Sequence, residues 1–325
     1  MLTLATDLTH TKTHVRKISV LGLHPAIDVI NPVGLAPVRV AGGNAVNVTR
    51  SAHTISAALG FSPRLSALGY IATDLEAEYR KAIAATGAEM QIKGIDGTTR
   101  VNRYHRVDGQ EQCIRGTSGY HLENQQIHTM YRMLEDSNPG DIVVVTGSQP
   151  PGLPADFYTT AVRILKDRGV YTVLDAPVGP LKQVFASDVR PDMVKPNREE
   201  AKGLAGRRRL DSNSRRLNVW KQILPHGEAI CSLGAQGFWV RERTGRAWRL
   251  RLPFPEGLVP LTRVGCGDSA VGAIVACLSV DMPLVDAVQW AISASVANTT
   301  TTTPGDFPLE LLRDLYDQVE IKQAS

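Results

Sequence analysis

The sequence predicts an α/β protein: a three-layer αβα sandwich around a mostly parallel central sheet, with a small β-lid inserted into it. Three observations carry this. Short apolar runs alternate with longer amphipathic segments along most of the chain, the rhythm of βαβ units. Glycines open or close the helical segments, where a helix end needs a residue free of a β-carbon. Two extended stretches, residues 29–40 and 98–117, break the rhythm and contain few helix formers.

The elements follow in order. Residues 17–23 form the first strand, and 47–59 a helix opened by Gly42-Gly43 and closed by Gly60. Residues 64–68 are a short strand and 74–86 a helix ended by Gly87. In the second extended stretch, Val101-Asn-Arg-Tyr-His-Arg-Val107 alternates in part and runs into Asp108-Gly109, a hairpin dipeptide. Residues 141–146, with Val143-Val144-Val145 at their centre, are a strand; 154–168 are a helix stopped by Gly169. Strands at 170–175, 193–195 and 229–233 bracket a helix at 198–204, and apolar helices cover 269–278 and 283–296. The tract Thr299–Thr303 is β-branched and a poor continuation of the last helix. The reading is a single domain over residues 17–325 behind a tail at 1–16. In such sheets ligands bind beyond the carboxyl ends of the strands, so the turns after Leu23, Thr146, Leu233 and Val264 gather on one rim.

Composition limits the partners. A net charge of +4 suits an anionic substrate and is too weak to argue for nucleic acid. Arg207-Arg208-Arg209, with Arg215-Arg216, lies in a polar segment without aromatics and reads as a solvated surface. The four cysteines stand far apart, which argues against a zinc site or disulfide framework and for a cytoplasmic setting. The first 17 residues lack the apolar stretch of a secretory signal, and His10 and His14 there read as a stray pair. No apolar run is long enough to span a bilayer, so no membrane partner is expected.

The sharpest chemical signal is Gly265-Cys-Gly-Asp-Ser269 at the head of an apolar helix. Paired glycines let consecutive N–H groups converge on an anion, and the helix N-terminus adds its positive end. A carboxylate there can take a proton from a hydroxyl attacking a phosphorus atom. Alone, the same residues also read as an Asp cap after a loop. The loop is not a dinucleotide fingerprint, since Gly272 falls too late, and no Walker A sequence occurs.

Ala41-Gly-Gly-Asn-Ala-Val-Asn-Val-Thr-Arg50 resembles the first signature of the PfkB (ribokinase-like) carbohydrate kinases, and residues 264–272 resemble their second. Between these lie Thr146-Gly-Ser-Gln-Pro-Pro-Gly-Leu-Pro154, Lys195-Pro-Asn-Arg-Glu-Glu200 and Ser232-Leu-Gly-Ala-Gln-Gly237, similar to further family blocks and in the family's order. His24-Pro-Ala-Ile-Asp28 resembles a block of the 1-phosphofructokinase and tagatose-6-phosphate kinase branch.

The resemblance implies an ATP-dependent, Mg²⁺-assisted transfer of a phosphoryl group to a hydroxyl of a sugar, sugar phosphate or related polyol. By that resemblance Asp268 is the base and Gly265, Cys266 and Gly267 form the anion hole. Asp28, Gly42, Gly43, Asn44, Asn47, Arg100 and Asn102 bind the acceptor, with Arg100 on a phosphate it already carries. Lys195, Asn197, Ser232, Gly234, Gly237 and Asn298 bind the nucleotide, while Asn197 and Glu200 organise the metal. A homodimer through the lid's edge strands is implied in the same way. A non-catalytic sugar- or nucleotide-binding regulator on the same fold is the competing reading.

Three positions depart from the pattern. Asn44 stands where the phosphosugar branch usually has a Lys facing the acceptor phosphate, His24 replaces the usual Asn, and Arg263 precedes the second signature. His24 reads either as a packed, hydrogen-bonded substitute or as a recognition residue, and Arg263 either reaches phosphate or points to solvent. The departures cluster at the acceptor side and predict altered specificity with the catalytic loop intact.

Overall fold

The computed structural model describes residues 14–108, 110–117 and 119–324. His10, most of the tail and Gly109 of the hairpin dipeptide lie outside them.

The chain opens with β1 (Lys17–Gly22), then leaves the main sheet as an antiparallel hairpin of β2 (Ala26–Ile30) and β3 (Val38–Gly42). The helix α1 (Asn44–Ala58) starts directly at Gly43, whose φ of 87° makes the sharp turn that only glycine adopts cheaply. It therefore begins three residues before the expected start at 47. Next come β4 (Arg64–Ala72), a 3₁₀ turn at Thr73–Leu75, and α2 (Glu76–Ala84). Asp74, expected to open that helix, instead accepts hydrogen bonds from the Thr99 amide (3.0 Å) and hydroxyl (2.8 Å) at the root of the lid. The edge strand β5 (Glu89–Ile95) has too mixed a sequence to show as a strand by pattern, yet pairs with β4 over its whole length.

Two further strands, β6 (Val101–Val107) and β7 (Gln110–Ile114), form the second hairpin, and β6 runs parallel to β2. The lid is thus a four-stranded sheet in the order β3-β2-β6-β7. It begins at Ala26, earlier than the stretch from 29 marked in the sequence.

The chain continues with α3 (Asn124–Glu135), β8 (Ile142–Thr146), α4 (Phe157–Asp167), β9 (Tyr171–Asp175), α5 (Val178–Ala186) and β10 (Met193–Val194). After α6 (Arg198–Ala205) and α7 (Asn213–Ile223) come β11 (Glu228–Ser232), β12 (Phe238–Arg241) and β13 (Ala247–Arg251). The chain closes with α8 (Cys266–Leu278), α9 (Leu284–Ala297), α10 (Leu309–Asp317) and β14 (Glu320–Gln323).

The main sheet has ten strands in the order β14-β13-β12-β11-β10-β9-β8-β1-β4-β5, parallel from β11 to β5 and antiparallel in the β12–β14 extension. Both faces are covered, which explains the unbroken apolar run in β8. Val143 and Val145 pack under α3–α7, while Ile142 and Val144 pack under α1, α8 and α9. Sequence pattern alone had left the β12–β14 extension and α3, α5, α7 and α10 unassigned. Among the described residues no helix is long and apolar enough to cross a membrane.

Two features position the site. The chain lays β4 and β5 on one side of β1 and later returns with β8 on the other, so a crevice opens at their carboxyl ends. On the opposite layer, α1 and α8 touch through their backbones. A β-carbon on Gly272 would lie 2.5 Å from the Val48 carbonyl oxygen and 2.6 Å from the Ser51 β-carbon. The Ser51 hydroxyl bonds the Ser269 carbonyl at 2.8 Å beside this contact.

Candidate active site

A cleft of about 1410 Å³ lies over the carboxyl ends of the central strands. Gly147, Gly234 and Gly265, each from one of the turns expected on one rim, all border it. Single small-ligand pockets are typically about 300–1,000 Å³, so the cleft has room for two ligands side by side.

Asp268 stands in the first turn of α8, after Gly265 in the left-handed region at φ 76°. A β-carbon on Gly265 would overlap the Pro304 ring. Gly267 is exposed on the cleft wall with the Lys195 Nζ close by. The amides of this turn lead the helix into the cleft, a ready cradle for an anion. Both Asp268 oxygens are held: Asn44 Nδ2 donates to Oδ1 and Asn47 Nδ2 to Oδ2, each at 2.8 Å. Burial, reinforced by the neighbouring Asp175 carboxylate, raises the Asp268 pKa to about 6; the Asn47 bond and the Lys195 charge oppose the rise. A carboxylate poised there suits a general base near neutral pH.

Burial pushes the Cys266 thiol up to about 12, which disfavours the thiolate that a nucleophile needs. Asn298, expected at the nucleobase, is instead fully buried behind the loop. Its amide donates to the Val264 carbonyl (2.7 Å), and its oxygen accepts from the Ser269 hydroxyl (2.9 Å) and the Gly305 amide (2.8 Å). It ties the anion loop to the core, and its neighbours Val296 and Thr299 border the cleft in its stead.

At the lid side, Asp28 on β2 is 1% exposed and accepts from Asn102 Nδ2 at 2.8 Å. Burial raises its pKa against the Asn102 bond and the Arg100 charge. Gly42 sits beneath this carboxylate, where any β-carbon would overlap it, while Gly43 borders the cleft. Asn47 and Asn102 share one arrangement. Each amide nitrogen donates to a carboxylate, and each side-chain oxygen is buried with no hydrogen-bond partner among the described residues. These two oxygens are acceptors awaiting donors.

Arg100 also borders the cleft, but its guanidinium donates to the His24 carbonyl (2.7 Å) and the Pro25 carbonyl (3.3 Å). The Ser148 hydroxyl lies 3.4 Å from Nη1. His24 Nδ1 is 3.0 Å from the same hydroxyl, and its ring meets Tyr120 edge-on. Burial, with Arg100 adding to it, lowers the His24 pKa to about 3, so the ring is neutral and packed. Asn44, expected among the acceptor-binding residues in place of a Lys, borders the cleft and donates to Asp268.

At the opposite side, Lys195 is buried and paired with Asp175 at 3.1 Å. Burial opposes its charge, but Asp175 prevails and holds its pKa above the usual range. Asn197 caps α6, its side-chain oxygen accepting from the Glu199 and Glu200 amides at 2.9 Å, while Glu200 accepts from the Asn197 amide at 2.8 Å. Burial first, and Asp175 after it, raises the Glu200 pKa. Ser232, Gly234 and Gly237 line the cleft, with Gly237 at φ 79° packed against the Leu250 carbonyl.

Among the described residues no three His, Cys, Asp or Glu converge as a metal cage. Asp175 and Glu200 nevertheless both border the cleft, and the Asp175 carboxylate bears on the Glu200 charge. Such a sparse oxygen set fits a magnesium ion held mainly by phosphates and water.

Sequence reasoning missed Asp175, Tyr104, Glu111 and Arg115. Asp175 had a readable signal, an acid at the end of a buried strand just before Ala176-Pro177. The lid residues had none, because their place over the cleft depends on how two hairpins pair.

The family model for pfkB family carbohydrate kinases matches residues 27–310. The chain is 25% identical over 299 residues to a tagatose-6-phosphate kinase of Staphylococcus epidermidis, covering 91% of this chain and 92% of that one. Among solved structures it is similar to phosphofructokinase-2 from Escherichia coli in complex with substrates and products. That match has a TM-score of 0.80 and 21% identity, over 93% of this chain and 98% of the other. The potassium complex of the same enzyme matches with a TM-score of 0.77 and 22% identity, at the same coverage.

Proposed function

The chain belongs to the pfkB family of carbohydrate kinases, phosphotransferases with an alcohol group as acceptor, and from that membership we propose that it transfers the γ-phosphoryl group of ATP to a hydroxyl of a sugar phosphate, with Asp268 as general base. The carrying observation is the Asp268 carboxylate itself. It is fixed by two amides, raised in pKa to about 6, and set in the glycine turn at the head of α8.

The residues divide the work. Asp28, Asn47 and Asn102 orient the acceptor, the two unpartnered amide oxygens accepting hydrogen bonds from its hydroxyls. Asp268 takes the proton of the attacking hydroxyl. The amides of the 265–268 turn, with the Lys195 ammonium beside them, stabilise charge on the phosphoryl group in flight. The other end of the cleft, with Ser232, Gly234 and Gly237, receives the nucleotide. Magnesium bound near Asp175 and Glu200 would neutralise phosphate charge. The lid covers the cleft and keeps water from competing as acceptor.

Sugar phosphate as the acceptor is supported by what the named relatives act on and by Arg100 with Ser148 at the cleft's acceptor end. A neutral polyol or cyclitol is the second reading, favoured by the two backbone carbonyls that already occupy Arg100. Exposed Leu35, Val107 and Ile114 on the lid support a homodimer through this sheet.

The test is turnover of ATP across a panel of sugars, sugar phosphates and cyclitols. Asp268→Asn should bind ATP normally and lose about a hundredfold or more in kcat. Wild-type protein that binds ATP but phosphorylates nothing in the panel would favour the regulatory reading.

A further inference from the structure

Arg115 follows directly on β7 and borders the same cleft as Asp268, Lys195 and Glu200. It makes no hydrogen bond or ion pair with any described residue. Three other cations of the cleft are committed: Lys195 to Asp175, Arg100 to two backbone carbonyls, and Arg198 to the Leu233 carbonyl and Gln236, whereas Arg251 and Arg263 line it with no side-chain hydrogen bond or ion pair to a described residue.

The backbone around Arg115 is fixed on three sides. Ile114 is in register with Arg103 on β6. A β-carbon on the next residue, Gly116, would overlap the Val101 carbonyl, so the strand end is pressed onto β6. On β7 itself, Glu111 reaches across to the catalytic side, accepting from the Thr262 hydroxyl (2.6 Å) and the Arg263 amide (2.8 Å). The other hairpin joins the same segment through the Val33 amide and the Leu261 carbonyl at 3.1 Å. The lid is therefore latched to the three residues that lead into the glycine turn.

Placed this way, Arg115 borders the cleft within electrostatic reach of both its ends. Burial sets the pKa values of Arg100 and Glu200, and the Arg115 charge acts on both in addition. Arg100 marks the acceptor end and Glu200 the nucleotide end, and the group that must pass between them is the phosphoryl group. Arg263 also borders the cleft, but its charge acts on Cys266, behind the turn.

We propose that Arg115 is a lid-borne catalytic residue that binds the transferring phosphoryl group, an inference that rests on the kinase reading above. In the step it serves, the acceptor oxygen forms the new bond to the γ-phosphorus and the bridging bond to the β-phosphate breaks. The hydroxyl proton passes to Asp268, and ADP leaves. The equatorial oxygens carry the spread charge, and a planar guanidinium matches two of them at once. The latch through Glu111 would deliver that cation only when the lid is seated, which couples closure to chemistry.

The test separates this role from acceptor binding and from scaffolding. Arg115→Ala should lower kcat about a hundredfold or more, with the acceptor KM changed less than about threefold. Arg115→Lys should recover part of the loss, and added guanidinium at millimolar concentration should partly rescue Arg115→Ala. Unchanged kcat would overturn the proposal. So would a raised KM confined to phosphorylated acceptors, which would put Arg115 on the acceptor's own phosphate. A binding measurement needs no turnover: Arg115→Ala should weaken MgADP with aluminium fluoride, a phosphoryl mimic, at least tenfold more than MgADP alone. Equal weakening of both would also overturn it. The kinase reading is judged separately, by wild-type turnover and by Asp268→Asn.

Discussion

Asn44 Nδ2 and Asp268 Oδ1 meet at 2.8 Å across 224 residues of sequence. With Asn47 on the other oxygen, the Asp268 carboxylate is held by two amides from the first turn of a single helix. An amide at position 44 steadies the carboxylate without the charge of a lysine, which would pull its pKa down.

The pH profile should follow. With a carboxyl pKa of about 6, kcat/KM should fall on the acid side as pH drops through that value, because the protonated form accepts nothing. Asn47→Ala removes a bond that favours the charged form, so the acid limb should move to higher pH. Asp175→Asn removes a repelling carboxylate, so it should move to lower pH. Shifts in the same direction for both variants would contradict this electrostatic account.

The same group should cost stability. The folded pKa of Asp268 lies above that of a free carboxyl, so the folded state binds the proton more tightly. Stability on this account is then lost as pH rises from about 4 to about 6, by up to about 3 kcal/mol. Asp268→Asn does not titrate, so its melting temperature relative to wild type should climb across that window. A difference independent of pH would refute the linkage.

Asn102 gives a cleaner probe of the acceptor. Asn102→Ala removes the open oxygen and leaves Asp28 without its 2.8 Å partner. The acceptor KM should rise by about tenfold or more, in line with about 1–3 kcal/mol for an unmade buried hydrogen bond, while the KM for ATP stays within about twofold. Steady-state kinetics with both substrates varied would decide.

Gly272→Val should force α1 and α8 apart, since a β-carbon has nowhere to go at 2.5 Å from the Val48 oxygen. Overpacking of this kind costs about 1–3 kcal/mol. The variant should melt at lower temperature and lose kcat, because Asn44 and Asn47 would no longer reach Asp268 together.

Most of the parallel core was legible before the structure, because apolar runs and glycine stops fall where strands and helices end. The edge strand β5 was not, since a strand with one exposed face and a mixed sequence carries little periodicity. The glycine turn at the head of α8 could be read because its residues are contiguous, from Gly265 to Ser269. Asn44 and Asn47 were legible as signature residues expected at the acceptor, but their hydrogen bonds to Asp268 were not. Asn298 is the opposite case. The resemblance implies a nucleotide contact, whereas four hydrogen-bonding tasks inside the core already occupy its side chain.

The backbone contact at Gly272 has a historical consequence. It welds Asp268 and its two amides into the helical layer, whereas Asp28, Asn102 and Tyr104 ride on two hairpins outside it. Substitutions at these three positions leave the weld intact. A lineage carrying this scaffold could thus exchange one acceptor for another through a series of working ancestors.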